Sequence, residues 1–255
     1  MKSLETKLRA LRESGRKALV PYFMAGATPD WTRHVEAAVL GGADAVEIGV
    51  PFSDPMIDGV VIQEAGLRAL ERGTTLESVC HDLESLQSEI PLIAMTYYNI
   101  FLHYGLLRSA GRIREGGLSG AIVPDLSLEE SSEWRAACEQ SDVATIFLVA
   151  PSTPRSRMKR VTELSQGFVY AAARMAVTGA ASDQGEGERV VNEVRREGDV
   201  PVYVGIGVTT PEQAHAAASF SDGVIVGSAL VKVILEGAGV TEVESFVRSF
   251  RRALD

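Results

Sequence analysis

At 255 residues, with 45% hydrophobic and 23% charged content, the chain is long enough to bury one large α/β core and too apolar for the disordered class. Its formal net charge of −9 is the wrong sign for a general nucleic-acid or anionic-membrane surface, so any phosphate it binds has to be held locally. Cys80 and Cys138 are too few for a disulfide scaffold and lack metal-ligand spacing. The first residues run into mixed charge, and no apolar run approaches transmembrane length, so the expected setting is a reducing cytoplasm.

In chain order, short β-rich runs alternate with helical patterns, the signal of parallel βαβ units. The runs fall at 19–23, 44–50, 91–97, 120–124, 144–149, 167–172, 202–205 and 222–226. Most are almost continuously apolar, as strands covered by helices outside and side chains inside should be. Eight runs predict a (β/α)8 barrel, a single domain over residues 1–255 with helices at both termini. The rival is an open doubly wound sheet, but Met24-Ala25-Gly26-Ala27-Thr28-Pro29 after the first run is not its Gly-rich fingerprint.

Thr210 before Pro211 reads as a helix N-cap with proline at the first helical position. Thr241 with Glu244 reads as a capping box that opens a closing amphipathic helix. Val243, Phe246, Val247, Phe250 and Leu254 then recur on one face of it. Two polar, Gly-rich segments, 51–59 and 174–187, exceed what a connector needs. Barrel enzymes build their sites from loops that follow strand C-termini, so chemistry is expected there.

In the second run, period-2 geometry puts Val46, Ile48 and Val50 on one face and Ala45, Glu47 and Gly49 on the other. The branched face suits the helix layer, which turns Glu47 into the barrel beside small neighbours. A carboxyl there is desolvated and rises toward a pKa useful for moving protons near neutrality, although an internal ion pair with an Arg is the alternative. The next loop adds Asp54 and Asp58, each either a second acid of the site or an ordinary turn residue beside Pro or Gly.

Gly205-Ile206-Gly207 follows the seventh run, and Gly227-Ser228 follows the eighth and opens a helix. Backbone N–H groups at such a position form the phosphate site of many barrels. No Lys stands at a strand C-terminus to act as a Schiff-base nucleophile, and the four His are scattered, so a metal site is not expected. What remains is carboxylate acid/base chemistry on a small phosphorylated compound.

The segment Val46-Glu47-Ile48-Gly49-Val50-Pro51-Phe52-Ser53-Asp54-Pro55-Met56-Ile57-Asp58-Gly59 closely resembles the signature of the tryptophan synthase alpha subunit family. So do Val20-Pro21-Tyr22-Phe23, Met95-Thr96-Tyr97-Tyr98-Asn99, Ile122-Val123-Pro124-Asp125-Leu126, Val177-Thr178-Gly179-Ala180 and Gly227-Ser228-Ala229-Leu230-Val231-Lys232, so the resemblance covers essentially the whole chain. It implies a lyase that splits indole-3-glycerol phosphate into indole and glyceraldehyde 3-phosphate. Glu47 would be the acid/base catalyst and Asp58 the carboxylate that binds the indole N–H. Tyr22, Tyr97, Tyr170 and Thr178 would contact substrate, with Thr178 closing a loop onto Asp58. Gly179, Gly207, Gly227 and Ser228 would hold the phosphate. Pro51, Asp54 and Pro55 would face a beta subunit in an alpha2beta2 assembly, and that partner rather than this chain would hold pyridoxal phosphate.

The chain departs from the family pattern at Ala176, where a glycine is usual, at Val60 and Ile100, where proline is common, and at Ile206, where Phe is usual. Two other readings use the same residues: a stand-alone lyase that releases free indole, and a non-catalytic barrel that binds a phosphorylated ligand.

Overall fold

The computed structural model describes residues 2–86, 88–174 and 181–255. Nine parallel strands alternate with helices: β1 (Ala18–Met24), β2 (Val46–Gly49), β3 (Leu92–Met95), β4 (Leu118–Ile122), β5 (Ala144–Ile146), β6 (Leu148–Val149), β7 (Val169–Arg174), β8 (Val202–Ile206) and β9 (Gly223–Val226). Their order is β5-β4-β3-β2-β1-β9-β8-β7-β6. The two outermost strands are halves of the single run expected at 144–149, so the sheet closes on itself and the eight-stave barrel stands. The break falls at Phe147, whose N–H donates to the Ser165 hydroxyl (3.3 Å) while its carbonyl accepts from Tyr170 N–H (3.0 Å). One half of this stave pairs with β4 and the other with β7.

The helices are α1 (Lys2–Glu13), α2 (Trp31–Leu40), α3 (Val60–Glu71), α4 (Leu76–Glu84), α5 (Tyr98–Tyr104), α6 (Leu106–Glu115), α7 (Ser132–Gln140), α8 (Arg155–Leu164), α9 (Ala181–Glu197), α10 (Pro211–Ala218), α11 (Ser228–Leu235) and α12 (Val240–Leu254). Among the described residues, no helix is long and apolar enough to cross a membrane. Thr210 caps α10 as expected, accepting from Gln213 N–H, with Pro211 in the first turn. The expected box at Thr241 does not form. Gly239 is the N-cap of α12, and its carbonyl already accepts from Val243 N–H (3.0 Å), so the helix has begun before Thr241. Glu244 instead pairs with Arg248 one turn on. Of the apolar face read for α12, Val243, Val247, Phe250 and Leu254 are buried and Phe246 is half-buried against the core.

Two layers of core result. Val46, Ile48 and Val50 lie in the outer layer between sheet and helices, whereas Ala45, Val20, Ile93 and Tyr203 lie inside the barrel. The barrel's lower end is plugged by Leu4 and Leu8 of α1, both fully buried. Glycine makes room for that plug: a Cβ on Gly120 would stand 2.9 Å from the Leu4 side chain. At the same end, Asp44 accepts from Leu19 N–H and from Arg251, each at 2.9 Å, and Asp222 accepts from Val202 N–H at 2.9 Å. These carboxylates tie neighbouring staves together and leave the opposite, C-terminal end free for chemistry.

Candidate active site

Glu47 lies on β2 in register with Tyr22 of β1 and Ile93 of β3. Its side chain is 1% exposed, as the inward reading of the strand requires, and its Oε1 has no hydrogen-bond partner. No ion pair with a Lys or Arg forms among the described residues. Burial alone pushes the carboxyl up to about 8, because a charge cannot be solvated there and nothing nearby offsets it. The group is therefore mostly protonated at neutral pH.

The loop after β2 separates its two acids. Asp54 is exposed and accepts from the Ser53 hydroxyl (2.6 Å), so it behaves as a turn residue. Asp58 turns into the barrel mouth. Gln63 grips the backbone there by donating to the Asp58 carbonyl at 2.9 Å, and Ile57 N–H donates to the Tyr97 hydroxyl at 3.0 Å. Partial burial raises the Asp58 carboxyl and contact with the Tyr97 hydroxyl opposes the rise. Pro51 is buried within the chain and offers little surface to a partner, unlike Asp54.

Glu47 and Asp58 share one cavity of about 240 Å³ with Tyr22, Tyr170, Gly205, Gly207, Gly227 and Ser228. The Tyr170 hydroxyl donates to the Gly205 carbonyl (3.3 Å), and a Cβ on Gly205 would stand 2.2 Å from that hydroxyl, so the glycine is what lets the ring lie flat across the strand. Tyr22 crosses Gly49 in the same way, with 2.0 Å between its hydroxyl and a Cβ placed there. Burial first, then the neighbouring carboxyls, push both phenols well above their ordinary range, so both keep their protons.

At the other end of the cavity Gly207 has φ +80°, a backbone conformation that favours glycine. Gly227 caps α11, of which Ser228 is the first residue. Gly227 and Ser228 both line the cavity, so the N-terminus of that helix, where first-turn N–H groups lack helical partners and the dipole is positive, borders it. No Lys, Arg or His lines the cavity among the described residues.

Tyr97 stands apart from the other expected contacts. It lines a second, much smaller cavity of about 20 Å³ behind Asp58, together with Phe52, Pro55, Thr96 and Tyr22. Its ring stacks on Phe52 with centroids 5.1 Å apart. Sequence reasoning missed the apolar wall formed by Ile62, Met95, Pro124, Leu148 and Ile225. Met95 was within reach of the same period-2 argument, two residues beyond inward-facing Ile93. Thr178, Gly179 and Ala176 lie outside the described residues, as does the side chain of Ile206.

Comparison with known proteins agrees with this geometry. The family profile of the tryptophan synthase alpha chain matches residues 8–253. The tryptophan synthase alpha chain of Methanosarcina mazei is 38% identical, over 98% of this chain and 94% of its own length. That of Streptomyces coelicolor is 42% identical, over 91% and 88%. Among solved structures, a tryptophan synthase from M. tuberculosis in a ligand-free form superposes with a TM-score of 0.90 at 34% identity, covering 98% of each chain. The tryptophan synthase alpha subunit of Legionella pneumophila gives 0.90 at 30% identity, covering 100% and 99%. The chain belongs to the tryptophan synthase alpha chain family.

Proposed function

We propose that Glu47 and Asp58 divide the work of the family's reaction, the lyase cleavage of indole-3-glycerol phosphate to indole and glyceraldehyde 3-phosphate. In that reaction the bond between indole C3 and the carbinol carbon breaks, the carbinol loses its O–H proton, and C3 gains one. A single carboxyl poised near neutrality can do both transfers. Glu47, held protonated, first delivers its proton to C3 as a general acid and then, as carboxylate, takes the carbinol proton as a general base. Asp58, the more exposed of the two, accepts from the indole N–H with its carboxylate oxygen and stabilises the positive charge that ring protonation creates. Tyr22, Tyr170 and the apolar wall enclose the indole and the carbon chain. The amides of Gly207, Gly227 and Ser228 hold the phosphate.

The observation that carries this reading is the unpaired, fully buried Glu47 carboxyl, raised to about 8, in the same cavity as a helix N-terminus. As an alpha subunit the chain works with a beta subunit. In our reading the assembly is alpha2beta2 in the cytoplasm, Asp54 and Pro55 face the partner, and the pyridoxal phosphate belongs to the partner. The family relationship does not favour a stand-alone lyase. The test is indole release from indole-3-glycerol phosphate by the isolated chain and with a beta subunit added. Weak turnover that rises with the partner is expected, and no turnover in either arm overturns the reading.

A further inference from the structure

The segment that carries Gly207 is gripped at both ends. Before it, the Gly205 carbonyl accepts from the Tyr170 hydroxyl (3.3 Å). After it, Val208 is buried in the outer core layer, and the chain then turns through Thr209 and Thr210 into α10. Thr210 and Gln213 make the capping box expected of a Thr-x-x-Gln start, each side chain satisfying the other's backbone N–H. The Gln213 side chain does more than a capping box requires. Its Oε1 accepts from Thr209 N–H at 2.7 Å and from the Thr209 hydroxyl at 2.8 Å, both shorter than its bond from Thr210 N–H at 3.2 Å.

We propose that Gln213 is a positioning residue for the phosphate end of the site: its amide oxygen fixes the backbone at Thr209 and Thr210 and so holds Gly207 at the cavity. This rests on the phosphate role given to Gly207 above. Gly207 lines the main cavity, and with φ +80° it has no side chain of its own to restrict rotation. A glycine amide serves an anion well only if its neighbours keep it in place, because ordering it at the moment of binding is subtracted from affinity. Val208 anchors the segment by a side chain alone. Gln213 fixes the peptide groups that follow.

The chemistry of the contact makes the acceptor specific. Two of its three donors are backbone N–H groups, so the atom that receives them has to be an oxygen with free lone pairs, which neither an amide NH2 nor an alkyl chain of the same length supplies. Thr209 and Thr210 are exposed, so water can replace a lost acceptor and folding suffers little. Water does not tie the loop to α10, however. The cost of losing Gln213 therefore falls on binding of the phosphate.

Gln213→Met keeps the length of the side chain and removes the acceptor, whereas Gln213→Glu keeps the acceptor. Thr210→Ala is the control for the helix cap, since it removes the oxygen that receives Gln213 N–H and leaves the grip on Thr209. Cleavage of indole-3-glycerol phosphate with a beta subunit present, and its competitive inhibition by inorganic phosphate, are measured for these three and for Gly207→Ala. One high ionic strength is used throughout, to screen the charge that Glu adds. In Gln213→Met, KM and the phosphate Ki should rise together by about three- to tenfold while kcat stays within about twofold of the parent's. Gln213→Glu should bring both constants back to within about twofold of the parent's. Thr210→Ala should lower the melting temperature and move neither constant. Unmoved constants in Gln213→Met, an equal rise in Thr210→Ala, or no recovery in Gln213→Glu overturns the inference alone when Gly207→Ala still raises KM. If Gly207→Ala moves neither constant, the phosphate reading falls and the inference with it.

Discussion

Glu47→Gln separates the cost of the buried acid from its use. The folded carboxyl titrates at about 8 against an ordinary 4.5. Between those values the unfolded chain gives up the proton and the folded chain keeps it. The folded state therefore binds more protons, and the parent loses stability as pH rises. The loss is absent below about 4.5, grows through the window and is complete above about 8. Its slope is about 1.4 kcal/mol per pH unit, which makes roughly 3 kcal/mol at pH 7. Gln does not titrate, so its curve lacks this decline. Relative to the parent, the variant should gain roughly 3 kcal/mol between pH 4.5 and 7. At ~2–4 °C per kcal/mol for a chain of this size, that is a relative Tm shift on the order of 6–12 °C. Over the same interval indole release should fall ~10²–10⁴-fold, the usual worth of positioned acid/base catalysis. Thermal melts and indole assays across pH read both effects. Parallel stability curves would show that Glu47 is not held protonated, and a retained rate would remove it from the proton transfer.

Gly207→Ala places a side chain at φ +80°, where it costs roughly 1 kcal/mol or more and obstructs the amide assigned to phosphate. KM for the substrate should rise about tenfold with a smaller change in kcat, and a KM within twofold of the parent's would remove Gly207 from the phosphate site. Val60→Pro restores the proline common in the family at the first position of α3. Gly59 before it, with φ −71° and ψ 160°, already has the conformation a following proline requires. Val60 is 80% exposed, so the change should raise stability by ~0.4–1 kcal/mol through the unfolded state. A lower denaturation midpoint would refute that account.

Much of the barrel is legible in the chain because each strand carries its environment in its own composition. Continuous apolar runs mark staves buried on both faces, and period 2 turns Glu47 inward with no knowledge of its neighbours. The glycines at 205, 207 and 227 and the helix opened by Ser228 are likewise local signals. The errors were local as well. The box at Thr241 failed because Gly239 supplied an earlier carbonyl to start α12, and the fifth run hid a break because pairing with β4 on one side and β7 on the other is settled only when the sheet closes.

The site shows the same division. Sequence alone determined that an inward carboxyl, a second acid in a proline-held loop and a strand-end glycine pair exist, since each follows from residue type and spacing within a single segment. The family resemblance already marked Asp58 rather than Asp54 as the site acid, and period 2 could have turned Met95 inward, but only the tertiary structure decided that Tyr97 lines a separate small cavity and that Pro124 and Leu148 wall the main one. These depend on which side chains from different staves converge at the barrel mouth. The pKa of Glu47 depends on them too: it is raised by the desolvation that all the staves together impose, and no single segment of the chain carries that quantity.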